Sequence, residues 1–351
     1  MKKTIILFLI LSLLLCGCGP SSGKPAGDTQ EFTDSTGRTV TLPASITKIA
    51  ISGPLSQIYI LPLAGDLLVG VSTAYAEDAQ SYLPASIYEK AEIGQLYGGK
   101  GEMDLEALLA ASPDVVIDIG EPKKTTADDL TALTAQTGIP FIHIDATVAA
   151  APEAYRTLGK LLDREEKAEE LAAWCEDTYA MITAMMEQVD GDGARKTLLY
   201  CLGDKGVNVI ARGSFHGETI ELLAENSAVL EDVVSSGAGN EVDLEQILLW
   251  DPDVLIFAPD SCYEDVAASE QWQSIGAVSQ GDYYKTPTGP YGWLSSPPAV
   301  QRYLGMLWLG ELLYPGYAEY DLQEKVTEYY KLFYGCDLTG EMYQDLMADS
   351  R

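Results

Sequence analysis

The residues of this sequence that are best suited to binding chemistry are aromatic and hydroxyl-bearing side chains in loops. Six such loops follow predicted strands, and they cover 53–57, 72–78, 94–101, 211–217, 258–264 and 288–298. Aromatic rings with few fixed charges beside them suit a flat or bulky ligand, such as a metal chelate or a tetrapyrrole. The candidate ligand-binding residues are Ser56, Tyr75, Tyr97, Arg212, His216, Tyr291 and Trp293.

These candidates have competing structural roles. For each aromatic residue the alternative is local packing, and Arg212 either faces an anionic group of the ligand or pairs with a surface acid. The sequence has only two histidines. His216 follows ARGSF in a predicted loop and is the better ligand candidate, whereas His143 lies in the run FIHID and is predicted to be structural.

Catalytic and metal-binding motifs are scarce. The sequence contains no GxSxG, no P-loop and no HExxH. A transition-metal site usually needs several His or Cys ligands, and two histidines disfavour one. Acidic pairs are numerous, but no spacing selects a general acid and base. The sequence therefore predicts no catalytic residue, no resident cofactor and no metal site.

The elements that position these loops alternate between strands and helices. Short apolar runs at 46–52, 68–72, 114–120, 140–146, 196–202, 253–259 and 281–287 predict buried strands. Helical patterns separate them, and two more close the chain at 300–314 and 323–334. Strands alternating with helices favour parallel sheets in an α/β fold.

A long helix divides the chain in two. Residues 164–190 contain neither Gly nor Pro, and Asp163 with Glu166 forms a capping-box pattern at their start. The prediction is therefore an N-terminal α/β lobe at 31–160, a linking helix at 161–192 and a C-terminal α/β lobe with a helical tail at 193–351. Both lobes are Rossmann-like, and one continuous helix between them makes a stiff strut.

The N-terminus predicts export. MKK followed by an apolar run of 12 residues is a signal peptide too short to span a bilayer comfortably. The following LCGC resembles a bacterial lipobox, which implies removal of residues 1–17, lipidation of Cys18 and anchoring to the cell membrane. Residues 18–30 read as a flexible tether. The other cysteines, Cys175, Cys201, Cys262 and Cys336, are expected to be buried thiols, with an extracytoplasmic disulfide as the alternative.

The composition is strongly acidic. The formal net charge is −31, which excludes a nucleic-acid-binding surface because that needs clustered Lys and Arg. The acids are spread along the chain, as expected for a highly soluble exported protein.

One helix–turn–strand unit occurs twice. MDLEALLAASPDVVIDIG at 103–120 matches VDLEQILLWDPDVLIFAP at 242–259, with Glu106 and Glu245 in register. Asp104 and Asp243 are predicted N-caps, so a Glu in the first turn is partly explained by the helix dipole.

The sequence is similar to the periplasmic-binding proteins for ferric siderophores, haem and cobalamin. The resemblance rests on the segment 32–72, on both copies of the repeat and on the ending GWLSSPPAVQRYLGMLWLGELLYP. It implies two α/β lobes joined by one long helix, a shallow cleft with limited closure, and delivery of a metal chelate to a homodimeric ABC permease with its ATPase. Tyr97, Tyr291 and Trp293 match positions where the family places cleft residues. Glu106 and Glu245 match the positions that dock onto the permease.

The ligand class stays open between two alternatives. The ending also resembles family members that carry molybdate or tungstate, for which hydroxyl and backbone N–H donors matter more than aromatic rings. A different class is an extracellular enzyme such as a chelatase, for which no cluster of catalytic residues is visible.

Overall fold

The computed structural model describes residues 28–96, 103–348 and 350. Lobe one begins with a hairpin and continues into a parallel sheet of order β3-β4-β5. Its strands are β1 (Thr29–Thr33), β2 (Thr39–Pro43), β3 (Ile49–Ile51), β4 (Val115–Gly120) and β5 (Phe141–Asp145). Its helices are α1 (Pro54–Ala64), α2 (Ala85–Tyr88), α3 (Leu105–Ala111), α4 (Thr126–Thr137) and α5 (Ala151–Leu162).

A helix of 27 residues, α6 (Glu165–Gly191), joins the lobes. It packs against α5, and the two backbones approach closely at Gly159, where an added Cβ would lie 2.3 Å from that of Ala168. The long helix is confirmed, but its predicted cap is wrong. Asp163 has a left-handed backbone (φ 53°) that ends α5, and Arg164 stands at the N-cap of α6.

Lobe two carries a mixed sheet with a parallel centre. Strands β6 (Thr197–Leu202), β10 (Val254–Phe257) and β11 (Tyr283–Lys285) are parallel, and so is β8 (Glu225–Asn226) to β6. β7 (Asn208–Val209) and β9 (Asn240–Glu241) extend it antiparallel, beyond the expected parallel strands. The helices are α7 (Glu218–Leu223), α8 (Leu244–Trp250), α9 (Tyr263–Val266), α10 (Gly276–Gln280), α11 (Arg302–Leu313), α12 (Leu322–Tyr329) and α13 (Gly340–Leu346).

Short 3₁₀ and π turns complete the chain. The 3₁₀ turns are Gly65–Leu67, Glu77–Ser81, Phe215–Gly217 and Trp272–Ser274, and a π-helical turn, Tyr330–Tyr334, extends α12.

The main hydrophobic core runs through both lobes. It contains side chains of α1 and β4 in lobe one, of α6, and of β6 and α11 in lobe two. Smaller clusters cover the other faces, around Phe141 in lobe one and Phe257 in lobe two. The two lobes are therefore packed as one body around the linking helix.

Among the described residues the cysteines are Cys175, Cys201, Cys262 and Cys336, and all of these are free thiols. Cys175, Cys201 and Cys262 are buried, as predicted, whereas Cys336 is half-buried. Residues 29 and 30, predicted as tether, already belong to β1. The signal peptide and Cys18 lie outside the described residues. Across the part of the chain that is described, no helix combines the length and apolar character needed to cross a membrane.

Candidate functional site

The carboxyl ends of the parallel strands meet between the lobes. In open α/β sheets ligands bind at this edge, in the crevice formed by the loops that follow the strands. Several described hydrogen bonds join the lobes, and two of them link side chains of these loops. One joins Tyr75 to Tyr291, and the other joins Glu121, which follows β4, to Ser235 of the loop before β9.

The first crossing is a hydrogen-bonded tyrosine pair. The hydroxyl oxygens of Tyr75 and Tyr291 lie 2.7 Å apart. Gln57, in the first turn of α1, donates from Nε2 to the Tyr75 hydroxyl at 2.6 Å and lies 3.5 Å from that of Tyr291. The Gln57 amide is fixed in turn, because its Oε1 accepts the backbone N–H of Ser72 at 2.7 Å.

This pair retains one hydrogen-bond donor. Two hydroxyls that share one hydrogen bond use one of their two hydrogens, whichever residue donates. No described residue accepts the second hydrogen. Burial raises the pKa of Tyr75, and burial together with Tyr75 raises that of Tyr291 well above its usual value. Both phenols therefore stay protonated and can donate.

His216 lies beside the second crossing as a neutral imidazole. Burial lowers its pKa to about 4, and the positive charge of Arg302 acts in the same direction. The Ser295 carbonyl, which accepts a hydrogen bond from Nδ1 at 3.2 Å, acts in the opposite direction but is outweighed. Because Nδ1 donates, the lone pair of Nε2 is left as an acceptor. The loop that carries Ser235 also packs on the imidazole ring, since a Cβ added at Gly237 would lie 3.3 Å from it.

Ser56 belongs to a buried polar network rather than to the cleft surface. Its Oγ accepts the backbone N–H of Ile119 and lies 2.9 Å from the Oγ of Ser52. Ser52 donates to Asp118, which accepts from Nδ1 of His143 at 2.6 Å. Ser56 is only 1% exposed, because the first turn of α1 closes over β3 and β4.

His143 is structural, in the position that its run FIHID predicts. Its two ring nitrogens face Asp118 and Asp145, at 2.6 and 3.0 Å. Burial alone would lower its pKa, but the hydrogen bonds and negative charges of the two carboxylates outweigh burial and raise it. The imidazolium therefore ties β4 to β5 at their carboxyl ends.

Arg212 and Trp293 are not brought to the open cleft. The Arg212 guanidinium donates to the Asn226 carbonyl and to Glu225. Glu225 pairs with Thr197, the first residue of β6, so this end of the sheet is opposite the carboxyl ends. Trp293 has no exposed surface and packs in the core beneath the loop that presents Tyr291.

Three predicted residues remain, and the structure describes two of them. Tyr97 lies outside the described residues. Glu106 and Glu245 are exposed in the first turns of α3 and α8, after the N-caps Asp104 and Asp243. Among the described residues, no group of three or more His, Cys, Asp or Glu side chains is arranged to hold a metal ion.

Sequence reasoning missed three polar residues of this site. Gln57 and Glu121 closely follow β3 and β4, which is the signal that could have found them, whereas Ser235 lies within the long loop between β8 and β9, where no local signal marks it. Gln57 is adjacent to the selected Ser56, but helix phase turns Ser56 into the core and Gln57 toward the tyrosine pair.

Comparisons with known proteins agree on one family and one fold. A family model described as periplasmic binding protein matches residues 55–289. No match was found among curated protein sequences. An ABC transporter solute binding protein from Sulfurospirillum deleyianum is 28% identical, with 91% of this chain and 99% of that chain covered and a TM-score of 0.82.

Two further solved structures share the fold at lower identity. A molybdate periplasmic binding protein of Haemophilus influenzae, bound to molybdate, is 19% identical, covers 88% of this chain and 99% of its own, and has a TM-score of 0.70. A protein of an ABC-type Fe³⁺-hydroxamate transport system from Saccharomonospora viridis is 21% identical, covers 81% and 99%, and has a TM-score of 0.55.

Proposed function

We propose that this chain, which belongs to the periplasmic binding protein family, holds an iron–siderophore or related metal chelate between its lobes. The chain is an extracytoplasmic solute-binding protein that works with the permease and ATPase of an ABC transporter, and it is not an enzyme. The chelate, the residues that hold it and the membrane anchor are the proposed parts.

The observation that carries the ligand proposal is the tyrosine pair. Tyr75 comes from lobe one and Tyr291 from lobe two, and their hydroxyls lie 2.7 Å apart with one hydrogen free. A ligand placed here touches both lobes and receives a donor from a phenol that stays neutral. Siderophore chelates present carbonyl and hydroxamate oxygens around a bulky centre, and such oxygens accept hydrogen bonds from hydroxyl and amide donors.

Of the other predicted residues, His216 is proposed to contact the ligand, and Trp293, Arg212 and Ser56 are proposed to support the structure around the site. His216 offers an acceptor next to the Glu121–Ser235 crossing, so it suits a donor group on the ligand. Trp293 supports the Tyr291 loop from below, because it is fully buried. Arg212 stabilises lobe two through Glu225 and Asn226, and Ser56 stabilises α1.

An oxyanion such as molybdate is the second candidate on the same scaffold. The donors that favour it are those of the tyrosine pair and Gln57, since an oxyanion also takes hydrogen bonds from neutral hydroxyl and amide groups. The aromatic character of the pair favours the larger chelate, because an oxyanion needs little apolar contact.

One panel of measurements tests the ligand proposal. Purified protein is mixed with ferrioxamine B, haemin, cyanocobalamin or sodium molybdate, and its melting temperature is recorded, with native mass spectrometry of each mixture. Ligand at about 100 times its Kd adds about 2.7 kcal/mol of stability, so the matching compound raises the melt by several degrees. A rise with molybdate and with none of the chelates contradicts the chelate proposal.

The membrane anchor needs a separate test. We infer that Cys18 carries the lipid, because LCGC follows an apolar segment of signal-peptide length. Wild-type protein is expected to incorporate a labelled fatty acid in cells, and Cys18→Ser protein, which lacks the acceptor thiol, is not. Equal labelling of the Cys18→Ser variant contradicts the anchor. The permease is proposed to be a homodimer.

A further inference from the structure

The two copies of the sequence repeat adopt the same local structure. From Met103 to Pro113 and from Val242 to Pro252, every pair of matching positions has the same class of exposure. Both helices begin at an Asp that caps backbone N–H groups, and both end at a residue with a left-handed backbone, Ser112 or Asp251.

Each repeated helix exposes leucine beside its glutamate. Leu109 on α3 is 47% exposed, and its counterpart Leu248 on α8 is 45% exposed; Leu249 is 79% exposed. Residues three and four positions apart share a helix face, so Leu109 lies one turn from Glu106, and Leu248 and Leu249 one turn from Glu245. Helix capping explains the Asp and the Glu, but it gives no reason for an exposed Leu.

These leucines stand out from the rest of the surface. Six large hydrophobic side chains are exposed among the described residues, and three of them lie on these two seven-residue helices. Leu108 and Ile247, the preceding residues, are fully buried and fix both helices to the sheets. Leu109, Leu248 and Leu249 belong to neither of the hydrophobic clusters that contain Leu108 and Ile247.

Both helices start at the cleft side of their own lobe. The N–H of Asp104 bonds the carbonyl of Ile93, whose own N–H bonds Val71 in the extended segment beside β3. In lobe two, β9 leads into α8 and pairs with β7, which pairs with the carboxyl end of β6. The first turn of each helix, which carries the Glu, thus lies at the cleft side of its lobe, and the leucines follow one turn further along the same face.

We propose that Leu109 on one lobe and Leu248 with Leu249 on the other are the apolar parts of two equivalent docking faces for the transporter's membrane subunits. The occupant is a partner of two identical subunits, because two like faces require a surface presented twice. Each subunit offers a basic side chain to the Glu and an apolar depression one helical turn away. This inference rests on the proposed function.

The two faces are unequal in apolar area. Leu249 has Ala110 as its counterpart in lobe one. The lobe-two face therefore buries one more leucine, and burial of a leucine side chain corresponds to about tenfold or more in affinity. Leu248→Ser/Leu249→Ser is expected to weaken docking by about tenfold or more and Leu109→Ser by less, while Leu248→Met/Leu249→Met retains docking.

Site-specific photo-crosslinking, in cells that contain both this protein and its permease, tests the contact. The photoreactive residue p-benzoylphenylalanine replaces Leu109, Leu249, Glu106 or Glu245 in the full chain, and mass spectrometry identifies each adduct. Val229, which is 57% exposed in lobe two but lies outside α8, is the matched control. Adducts of Leu109 and Leu249 with the same permease polypeptide, and none from Val229, are the expected result.

The alternative outcomes separate this inference from the proposed function. Permease adducts from Glu106 and Glu245 but not from Leu109 and Leu249 overturn the leucine contact and leave the solute-binding role intact. Adducts with a second copy of this chain overturn it as well. Absence of any permease adduct, combined with no response in the melting panel, counts against the proposed function itself.

Discussion

His143 lies between two carboxylates, and this gives the pH dependence of folding a definite sign. The pKa of His143 is raised above 6.5, so its contribution is fully present below about pH 6.5 and is lost as pH rises through the folded-state pKa. His143→Gln leaves Asp118 buried without a charged partner and is expected to cost about 3 kcal/mol at pH 6. Urea unfolding between pH 4 and 9 should show wild-type stability falling above pH 6.5 and a flatter profile for the variant in that range.

The second histidine acts in the opposite pH range. The folded-state pKa of His216 is about 4, so the unfolded chain takes up a proton first and stability falls as pH drops from about 6.5 toward 4. His216→Gln is expected to flatten this acidic limb alone, and His143→Gln the alkaline limb alone. The same urea titration measures both, and each variant is the control for the other. A change of both limbs in one variant contradicts the assignment.

The tyrosine pair is expected to contribute to ligand affinity through its hydroxyls. Tyr75→Phe or Tyr291→Phe removes one hydroxyl but keeps the ring, and a hydrogen bond of about 0.5–1.5 kcal/mol corresponds to a two- to tenfold loss. Calorimetric titration with the compound that responds in the melting panel measures it. Tyr317→Phe, which loses a surface hydroxyl bonded to Asp192, should bind like the wild type. Unchanged affinity in the double variant would remove the pair from the ligand site.

At the scale of elements, the first turns of α3 and α8 are predicted to carry the charge contact with the permease. Glu106→Lys/Glu245→Lys reverses two exposed charges, each on the rim of one lobe. Attraction to a basic permease surface then becomes repulsion, and solute uptake by cells is expected to stop while solute affinity stays unchanged. Uptake assays on cells and titration of purified protein measure the two quantities.

A matched variant controls for the helix dipole in this experiment. Glu324 and Glu341 are also exposed first-turn glutamates, on α12 and α13, following the caps Asp321 and Thr339. Glu324→Lys/Glu341→Lys makes the same unfavourable change at two helix N-termini and should leave uptake normal. Equal loss of uptake in both double variants would attribute the effect to stability, and loss of solute binding in the first would contradict docking.

The elements were more predictable than the site. Buried β-branched runs and boundaries rich in Gly and Pro are local signals, so six of the seven predicted strands and the helix of 27 residues were found within a few positions. The predicted strand at 68–72 is wrong, since Leu68 and Val71 form only isolated bridges, and the short strands β1, β2, β7, β8 and β9 were not predicted. Asp163 was misassigned because the sequence alone does not distinguish an Asp that ends one helix from an Asp that caps the start of the next. Its φ of 53° shows that it ends α5. Tyr75 and Tyr291 are 216 positions apart, and their pairing depends on how the lobes sit together, which no local pattern encodes.

At the scale of the whole molecule, an aromatic cluster holds the lobes to the linking helix. Trp174 on α6 contacts Tyr329 and Phe333 edge-on, with ring centroids 5.3 and 5.5 Å away, and the latter two rings stack at 4.2 Å. Phe333 also contacts Tyr155 of α5, which contacts Tyr59 of α1. The C-terminal helices therefore reach into lobe one, and opening the cleft widely would separate these rings.

This shared core predicts that the two lobes unfold together. Phe333→Ala removes a side chain that is 1% exposed from the interface and is expected to cost about 3–5 kcal/mol. Because the loss falls on contacts between lobes, the ratio of calorimetric to van't Hoff enthalpy should rise from near one to clearly above one. Phe257→Ala is the control, since Phe257 is equally buried but belongs to a cluster confined to lobe two, and its ratio should stay near one. Two separate transitions in the wild-type scan would contradict a common core, and a single transition in Phe333→Ala would place the coupling in α6 alone.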